Sequence, residues 1–172
     1  KISSNFLKKI DTLNISEKFI IDKTPENFLW VGLIKLLFPE SKVIHCRRQI
    51  KDTAFSIFKN LFQGESYGWS YDKDDLVNYI KLYEDLINFW DNEYPDDIFH
   101  IDYEILVKSP ESEAKKLFNF CELNWDSKFL NVENSVTPID TLSSSQARKP
   151  IYSQSVDFYK NFEKLTNLFE KL

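Results

Sequence analysis

Three arginines carry the clearest chemical signal in this 172-residue sequence. The chain takes its positive charge mostly from lysine, yet its arginines all lie in two short segments, His45-Cys46-Arg47-Arg48 and Gln146-Ala147-Arg148-Lys149-Pro150. A guanidinium group is planar and presents its donors as a fixed fork, which suits it to paired hydrogen bonds with phosphate, sulfate or carboxylate. The placement therefore indicates an anion-binding site, although three arginines can also cluster by chance or hold loops through ion pairs.

The first arginine segment has the local order of strand, tight turn and helix. The apolar run from Lys42 to Cys46 predicts a buried strand, and a helix is predicted from Ile50 to Phe62. Free N–H groups and the positive dipole end at the start of such a helix favour a bound anion. Arg48 lies at the turn, Ser56 follows about two helical turns later, and Asp52 is placed to cap the helix or to orient an arginine. The alternative is an Arg48–Asp52 ion pair that only closes the turn.

Lys23 is a second candidate. It follows the apolar run Phe19-Ile20-Ile21, which predicts a buried strand ending in the turn Asp22-Lys23-Thr24-Pro25. Lys23 would then lie at the carboxyl edge of a sheet, where α/β proteins bind ligands. Considered alone, a solvated lysine in a turn is the simpler interpretation.

Two other segments carry polar groups that could face a ligand. Tyr103 ends a strand predicted from Asp97 to Tyr103 and could stack on a base or hydrogen-bond to it, although such a tyrosine is more often a core residue. The loop from Ser143 to Tyr152 combines hydroxyls, an arginine and a lysine before a proline. By composition alone, this loop reads as a flexible linker.

The predicted strands alternate with helices. Residues 27–38 are apolar nearly all round and predict a buried helix that stops at Pro39. A long amphipathic helix is predicted from apolar residues at alternating spacings of three and four, namely Leu76, Ile80, Tyr83, Ile87 and Trp90. Other helices are predicted near residues 6–13, from Ser109-Pro110 onward, and from about Val156 to Leu172. The alternation predicts an α/β fold with a parallel sheet and flanking helices.

Composition excludes several function classes. A net charge of −5 argues against general nucleic-acid binding, and no stretch reaches the length of a membrane span. The two cysteines favour a reducing compartment, so we expect a cytoplasmic protein. The histidines lie in predicted strands and lack zinc-ligand spacing, so satisfied core histidines are expected. Because the chain starts at Lys1 and contains no methionine, we expect a portion of a longer protein.

Five short motifs in fixed order resemble the bacterial sulfotransferases often fused to tetratricopeptide repeats, which are relatives of tyrosylprotein sulfotransferase. They cover residues 18 to about 165 and read Asp-Lys-x-Pro-x-Asn-Phe, Gly-Leu-Ile-x-x-Leu-Phe-Pro, Ile-His-Cys-Arg-Arg-x-x-x-Asp-x-x-x-Ser, Tyr-Glu-x-Leu-Val and Ser-x-x-Gln-x-Arg-x-Pro-Ile-Tyr. Each motif is weak singly, but the ordered set is specific.

The resemblance implies transfer of a sulfuryl group from 3′-phosphoadenosine 5′-phosphosulfate (PAPS) to a hydroxyl of a peptide tyrosine, a carbohydrate or a small molecule, without a metal. Arg48 and Ser56 match the pair that binds the 3′-phosphate, and Tyr103 matches a tyrosine near the adenine. Lys23 and Ser143 match groups that steady the sulfuryl group and the bridging oxygen. The segment that closes over the nucleotide is matched by the loop containing Ser143, Gln146, Arg148, Lys149 and Tyr152. Tetratricopeptide repeats are expected in the same full-length protein.

The sequence also departs from the family pattern. Phe158-Tyr159 replaces a basic residue followed by tryptophan, and Asn60 replaces a nucleotide-binding arginine of the tyrosyl branch. The family's Pro-x-Ser-Gly-Thr-Thr loop, which holds the 5′-phosphosulfate, and its catalytic glutamate do not occur. We therefore expect residues 1–172 to be the C-terminal portion of one P-loop-like sulfotransferase domain, incomplete at the N-terminus and inactive alone. A non-catalytic nucleotide-binding or interaction domain, and a P-loop kinase relative, are the alternatives.

Overall fold

A computed structural model describes residues 2–12, 18–62, 65–131, 151–162, 169 and 172. The helices and strands follow in the order α1 (Ile2–Asp11), α2 (Val31–Leu37), β1 (Val43–Arg47), α3 (Ile50–Phe58), α4 (Lys73–Glu93), β2 (Ile98–Asp102), α5 (Tyr103–Lys108) and α6 (Pro110–Phe120). Short 3-10 helices cover Pro25–Trp30, Glu65–Tyr71, Ser127–Leu130 and Phe158–Asn161. This arrangement confirms the predicted α/β class.

The two strands are parallel neighbours. Their register places Val43 opposite Ile98 at one end and Arg47 opposite Asp102 at the other. The connection between them runs through α3 and α4, because parallel strands need a long crossover. Both strands therefore end at the same edge of the sheet, beside the start of α3. The strands predicted at Lys42–Cys46 and Asp97–Tyr103 are confirmed, with each end displaced by one residue. The predicted burial of the first strand is wrong, because Ile44 is 42% exposed and Cys46 is also exposed.

The core lies between α3 and α4. Ala54 and Leu76 are fully buried, and Phe169 packs with them. The amphipathic character of α4 is confirmed, because Leu76 and Ile80 are buried while Leu82 is 67% exposed. At the start of α4, the Asp72 carboxylate accepts hydrogen bonds from two backbone N–H groups and caps the helix. This packing fixes α3, and hence the turn that precedes it, against the long helix.

The prediction of a buried strand at Phe19–Ile21 is wrong. These residues form no strand, and Ile21 is 89% exposed. Over the described residues, β1 pairs only with β2, so the segment has no neighbouring strand to complete its hydrogen bonds. Lys23 is consequently not at the end of a strand, and its side chain is exposed.

The prediction of one buried helix over residues 27–38 is wrong in part. A 3-10 helix from Pro25 to Trp30 precedes α2, and apolar side chains on its outer side are exposed, including Trp30 at 56% and Leu36 at 76%. Only one side packs inward, since Gly32 lies against the Trp90 ring and a Cβ there would come within 2.8 Å of that ring. An apolar sequence therefore predicts more burial than is found when only one face of the helix packs against another element.

The α-helix predicted from about Val156 to Leu172 is also wrong over the residues of that range that the structure describes continuously, 156–162. Residues 158–161 form a 3-10 helix rather than the start of an α-helix. Asp157, which precedes it, has a φ of 57° and donates its N–H to the Asp52 carboxylate, so the backbone turns away from α-helical geometry. Similarly, α3 ends at Phe58, four residues before the predicted Phe62.

The packing of α4 gives a stability prediction. Leu76→Ala should lower the free energy of unfolding by about 2–5 kcal/mol, because it opens a cavity in the α3–α4 core. Leu82→Ala, on the exposed side of the same helix, is the matched control and should change it by less than about 0.5 kcal/mol. Chemical denaturation measures both, and equal losses would contradict the described core.

Candidate functional site

A cleft of about 470 Å³ opens where β1 and β2 end. Its walls are the strand ends, the turn into α3 and one side of α4. Arg47 and Arg48 line it, together with the carboxylates of Glu84, Asp91, Asp102 and Glu104. This is the edge of a parallel sheet at which α/β folds bind ligands.

Arg47 is held by an ion pair within the sheet. Its Nε lies 2.8 Å from Asp102 Oδ1 and its Nη2 lies 3.0 Å from Asp102 Oδ2. The pair is bidentate and joins residues that are directly opposite in the strand register. Arg47 therefore has a structural partner, and its charge is balanced without a ligand.

Arg48 has a different environment. Its Nη2 donates to the Ser155 carbonyl oxygen and lies 3.7 Å from Asp52 Oδ2, and its guanidinium carbon lies 5.3 Å from the centre of the Tyr103 ring. Arg48 Nε is buried and has no hydrogen-bond partner in the part of the chain that the structure describes. The Arg48–Asp52 ion pair considered from the sequence is present, but it leaves donor capacity unused.

The structure brings Arg48, Tyr103 and Tyr152, three of the predicted site residues, together. Tyr103, the first residue of α5, lies against Arg48 and donates its hydroxyl to the Tyr152 carbonyl oxygen at 3.5 Å. Ser56 is half-buried on α3, the helix that follows Arg48. Asn60, which replaces the family's arginine, donates its amide to the Ser56 carbonyl oxygen at 2.7 Å.

The start of α3 already holds a carboxylate. The Gln49 backbone N–H donates to Glu104 Oε1 at 2.9 Å, so Glu104 takes the position that the sequence analysis gave to a bound anion. Glu104 directly follows the Tyr103 that the motif singled out, but its approach to residue 49 depends on the pairing of β1 with β2. A carboxylate of the chain therefore occupies the start of α3, and Arg48 remains as the candidate group for binding an anion.

A chain of hydrogen bonds that the sequence pattern does not reveal runs along the α4 wall of the cleft. Tyr83 Oη and His45 Nε2 are 2.5 Å apart, His45 Nδ1 and His100 Nδ1 are 2.9 Å apart, and His100 Nε2 lies 2.9 Å from Asp91 Oδ1. With neutral rings, donation runs consistently from Tyr83 through both histidines to the Asp91 carboxylate. The two histidines are thus partly buried and satisfied, as predicted; the signal for their contact is their identical place in the strand register.

Burial shifts the pKa values of two side chains in this hydrogen-bonded chain, His45 and Tyr83. It lowers the pKa of His45 to about 4, with the neighbouring His100 and Arg47 acting in the same direction. Burial also raises the pKa of the Tyr83 phenol. His45 and Tyr83 are therefore both uncharged near pH 7.

Of the predicted site residues that the structure describes, Arg48 lines the cleft, whereas Ser56, Tyr103 and Tyr152 lie outside its wall. Lys23 is exposed and does not line the cleft. Ser143, Gln146, Arg148 and Lys149 lie outside the described residues. Within the described ranges, no group of three or more histidine, cysteine or acidic side chains could hold a metal ion, and no helix is both long and apolar enough to cross a membrane.

Comparison with known proteins identifies the family. The sequence model described as "Sulfotransferase family" matches residues 1–127, most of the chain. The chain belongs to this sulfotransferase family. The motif-based resemblance is thereby confirmed at the level of the family.

Individual relatives of this sulfotransferase chain cover it to different extents. An uncharacterized protein of Aquifex aeolicus (strain VF5) is 34% identical over 170 residues, which are 97% of this chain and 22% of that protein. A Caenorhabditis briggsae protein named "Putative protein-tyrosine sulfotransferase" is 25% identical over 112 residues, which are 65% of this chain and 40% of that protein. A Caenorhabditis elegans protein of the same name is 23% identical over 119 residues, or 68% of this chain and 45% of that protein. The chain thus spans less than half the length of each relative.

The hydrogen-bonded histidines give a pH prediction for this sulfotransferase chain. Between pH 6.5 and 4, the unfolded His45 binds a proton that the folded state excludes, so this residue's contribution to stability is lost as the pH falls. The loss over that interval is at most about 3 kcal/mol. In His45→Gln, which lacks the titrating ring, the free energy of unfolding should fall less steeply with decreasing pH. Urea denaturation across this range tests the difference, and parallel curves for the two proteins would contradict it.

Proposed function

We propose that this chain is the nucleotide-binding portion of a PAPS-dependent sulfotransferase that acts on a hydroxyl acceptor. The family match supports the class of reaction. The main support for the site comes from the surroundings of Arg48. This residue lines the cleft at the end of β1 and lies against the Tyr103 ring. Its Nε is buried and has no partner among the described residues. An unsatisfied guanidinium at the carboxyl edge of a sheet suits a phosphate-bearing ligand.

The residues at this position fit the donor. Arg48 and Ser56 would hold the 3′-phosphate, and the Tyr103 ring would lie near the adenine. Among the residues that line the cleft, the 3′-phosphate would meet Arg48, because Arg47 is paired with Asp102 and the start of α3 is paired with Glu104. When bound, PAPS supplies the sulfuryl group that is transferred.

The transfer itself requires further donors from this chain. Lys23 and Ser143 would stabilise charge on the sulfuryl oxygens and on the bridging oxygen, which requires Lys23 to move from its exposed position outside the cleft wall to the donor. Donors that act in this way are each worth about 3–4 kcal/mol of transition-state stabilisation. Gln146, Arg148, Lys149 and Tyr152 would close over the nucleotide. Tyr152 already lies beside Tyr103, which supports a position for this segment next to Arg48.

The proposal also covers the chemical class of the acceptor and the contribution of the rest of the full-length protein. The names of the nematode relatives favour peptide tyrosine as the acceptor, ahead of carbohydrate or small-molecule hydroxyls. The chain covers 22% of the Aquifex aeolicus relative, which supports a longer protein. In this proposal the rest of that protein contributes the phosphosulfate loop and the general base, and carries tetratricopeptide repeats. Residues 1–172 alone would then bind nucleotide without catalysing transfer.

Binding of 3′,5′-adenosine bisphosphate to the full-length protein tests the site. Arg48→Ala should weaken the affinity about 10- to 100-fold, since it removes charge-assisted hydrogen bonds to a phosphate. Lys115→Ala, which removes one positive charge from a surface pair with Glu111 on α6, is the control and should leave the affinity unchanged. Titration calorimetry measures both, and unaltered binding by Arg48→Ala would refute the assignment.

An activity assay separates the proposed function from its rivals. Full-length protein should transfer labelled sulfate from PAPS to a tyrosine-containing peptide, and should not transfer phosphate from ATP. Binding of the bisphosphate without transfer to any hydroxyl would instead favour the non-catalytic nucleotide-binding domain. Phosphate transfer from ATP would favour the kinase-like alternative.

A further inference from the structure

Asp52 is a buried carboxylate with partners far along the chain. It is 1% exposed, and its two oxygens accept hydrogen bonds from the backbone N–H groups of Asp157 and Tyr159, at 2.7 and 3.0 Å. We call residues 151–162 the C-terminal strap, because this described segment crosses the start of α3. The strap is therefore fastened to α3 through both carboxylate oxygens.

Arg48 contacts the same strap through its guanidinium group. Its Nη2 donates to the Ser155 carbonyl oxygen, and the same atom lies 3.7 Å from the Asp52 carboxylate. Asp52 follows Arg48 by four residues, which is one helical turn. One carboxylate thus touches both the guanidinium and the two residues of the strap that flank the 3-10 helix start.

The strap makes other contacts near the cleft. The Tyr103 hydroxyl donates to the Tyr152 carbonyl oxygen at 3.5 Å, and Phe55 of α3 stacks on Phe162 with ring centres 4.7 Å apart. Asp157 has a positive φ of 57°, a conformation that non-glycine residues keep where surrounding contacts impose it. The Asp52 oxygen supplies such a contact at the Asp157 N–H.

From these contacts we infer that Asp52 is a positioning residue, which couples docking of the strap to the orientation of the Arg48 guanidinium toward the cleft. The inference rests on the proposed function, because it assigns Arg48 to the nucleotide. A free arginine side chain loses rotamer freedom when it binds a phosphate, and a partner that already holds its orientation reduces that loss. By linkage, a nucleotide that binds the oriented Arg48 also stabilises the docked strap.

A simpler role for Asp52 would be fold stability alone. The two roles differ in what happens when Arg48 is absent. If Asp52 acts on nucleotide affinity through Arg48, its replacement has no further effect on affinity in an Arg48→Ala background. If it only stabilises the fold, any loss of affinity is the same in both backgrounds.

A double-mutant cycle in the full-length protein makes this distinction, with 3′,5′-adenosine bisphosphate as the probe. Asp52→Asn should weaken binding about tenfold in the wild-type background and by less than about twofold in Arg48→Ala. Asp126→Asn is the matched control, since Asp126 also accepts a backbone N–H bond, from Lys128 at 2.9 Å, at the start of a 3-10 helix away from the cleft. It should leave the affinity unchanged.

Hydrogen exchange at the Asp157 and Tyr159 amides provides an independent readout that does not require a fully stable variant. Adding the bisphosphate to wild-type protein should slow exchange at both amides, and Asp52→Asn should exchange there faster than wild type. Two results would overturn the role of Asp52 and leave the proposed function intact. In the first, Arg48→Ala weakens binding of the bisphosphate but Asp52→Asn does not. In the second, Asp52→Asn lowers the affinity equally in the wild-type and Arg48→Ala backgrounds. Absence of wild-type binding would overturn both.

Discussion

Parallel pairing of β1 with β2 determines where the paired charges and histidines of the cleft lie. The register brings Arg47 opposite Asp102 and His45 opposite His100, and it ends both strands at the same edge. A shift of one residue would send these side chains to the other face of the sheet and break both pairs. The same pairing carries Glu104, which follows β2, to the backbone N–H of Gln49, which precedes α3. Arg47 is then ion-paired and the start of α3 is capped, while Arg48 keeps a buried Nε that has no partner among the described residues.

Under the proposed function, a chain with a net charge of −5 binds an anion through Arg48, in a cleft whose wall also carries the carboxylates of Glu84, Asp91, Asp102 and Glu104. Each of three carboxylates in the cleft wall has a donor of its own: Asp102 has Arg47, Glu104 has a backbone N–H, and Asp91 has His100. Asp52 is satisfied mainly by two backbone N–H groups and lies at a longer distance from Arg48. A buried carboxylate with its own hydrogen bonds can orient a neighbouring arginine without neutralising it completely.

The sequence was sufficient where the signal is local. The apolar runs of β1 and β2 and the three-and-four spacing of α4 are properties of neighbouring residues, and these elements were predicted close to their ends. Phe19–Ile21 has the same apolar character, but a strand also needs a partner strand, which composition does not reveal. The site likewise contains residues that local sequence predicts and contacts that it does not. Arg48 and Tyr103 follow from motifs. The hydrogen bonds that Asp52 accepts come from backbone N–H groups 105 and 107 positions further along the chain, so they depend on the folded structure.

The central claim is that Arg48, and not Arg47, binds a phosphate of the nucleotide. The most direct measurement is an NMR spectrum of arginine side-chain Nε–H groups in full-length protein labelled with ¹⁵N-arginine, with Arg47 and Arg48 assigned by lysine substitution. Addition of 3′,5′-adenosine bisphosphate should shift the Arg48 Nε–H resonance and leave that of Arg47, which is held by Asp102, nearly unchanged. An unshifted Arg48 resonance at saturating nucleotide, or a shift confined to Arg47, would contradict the account.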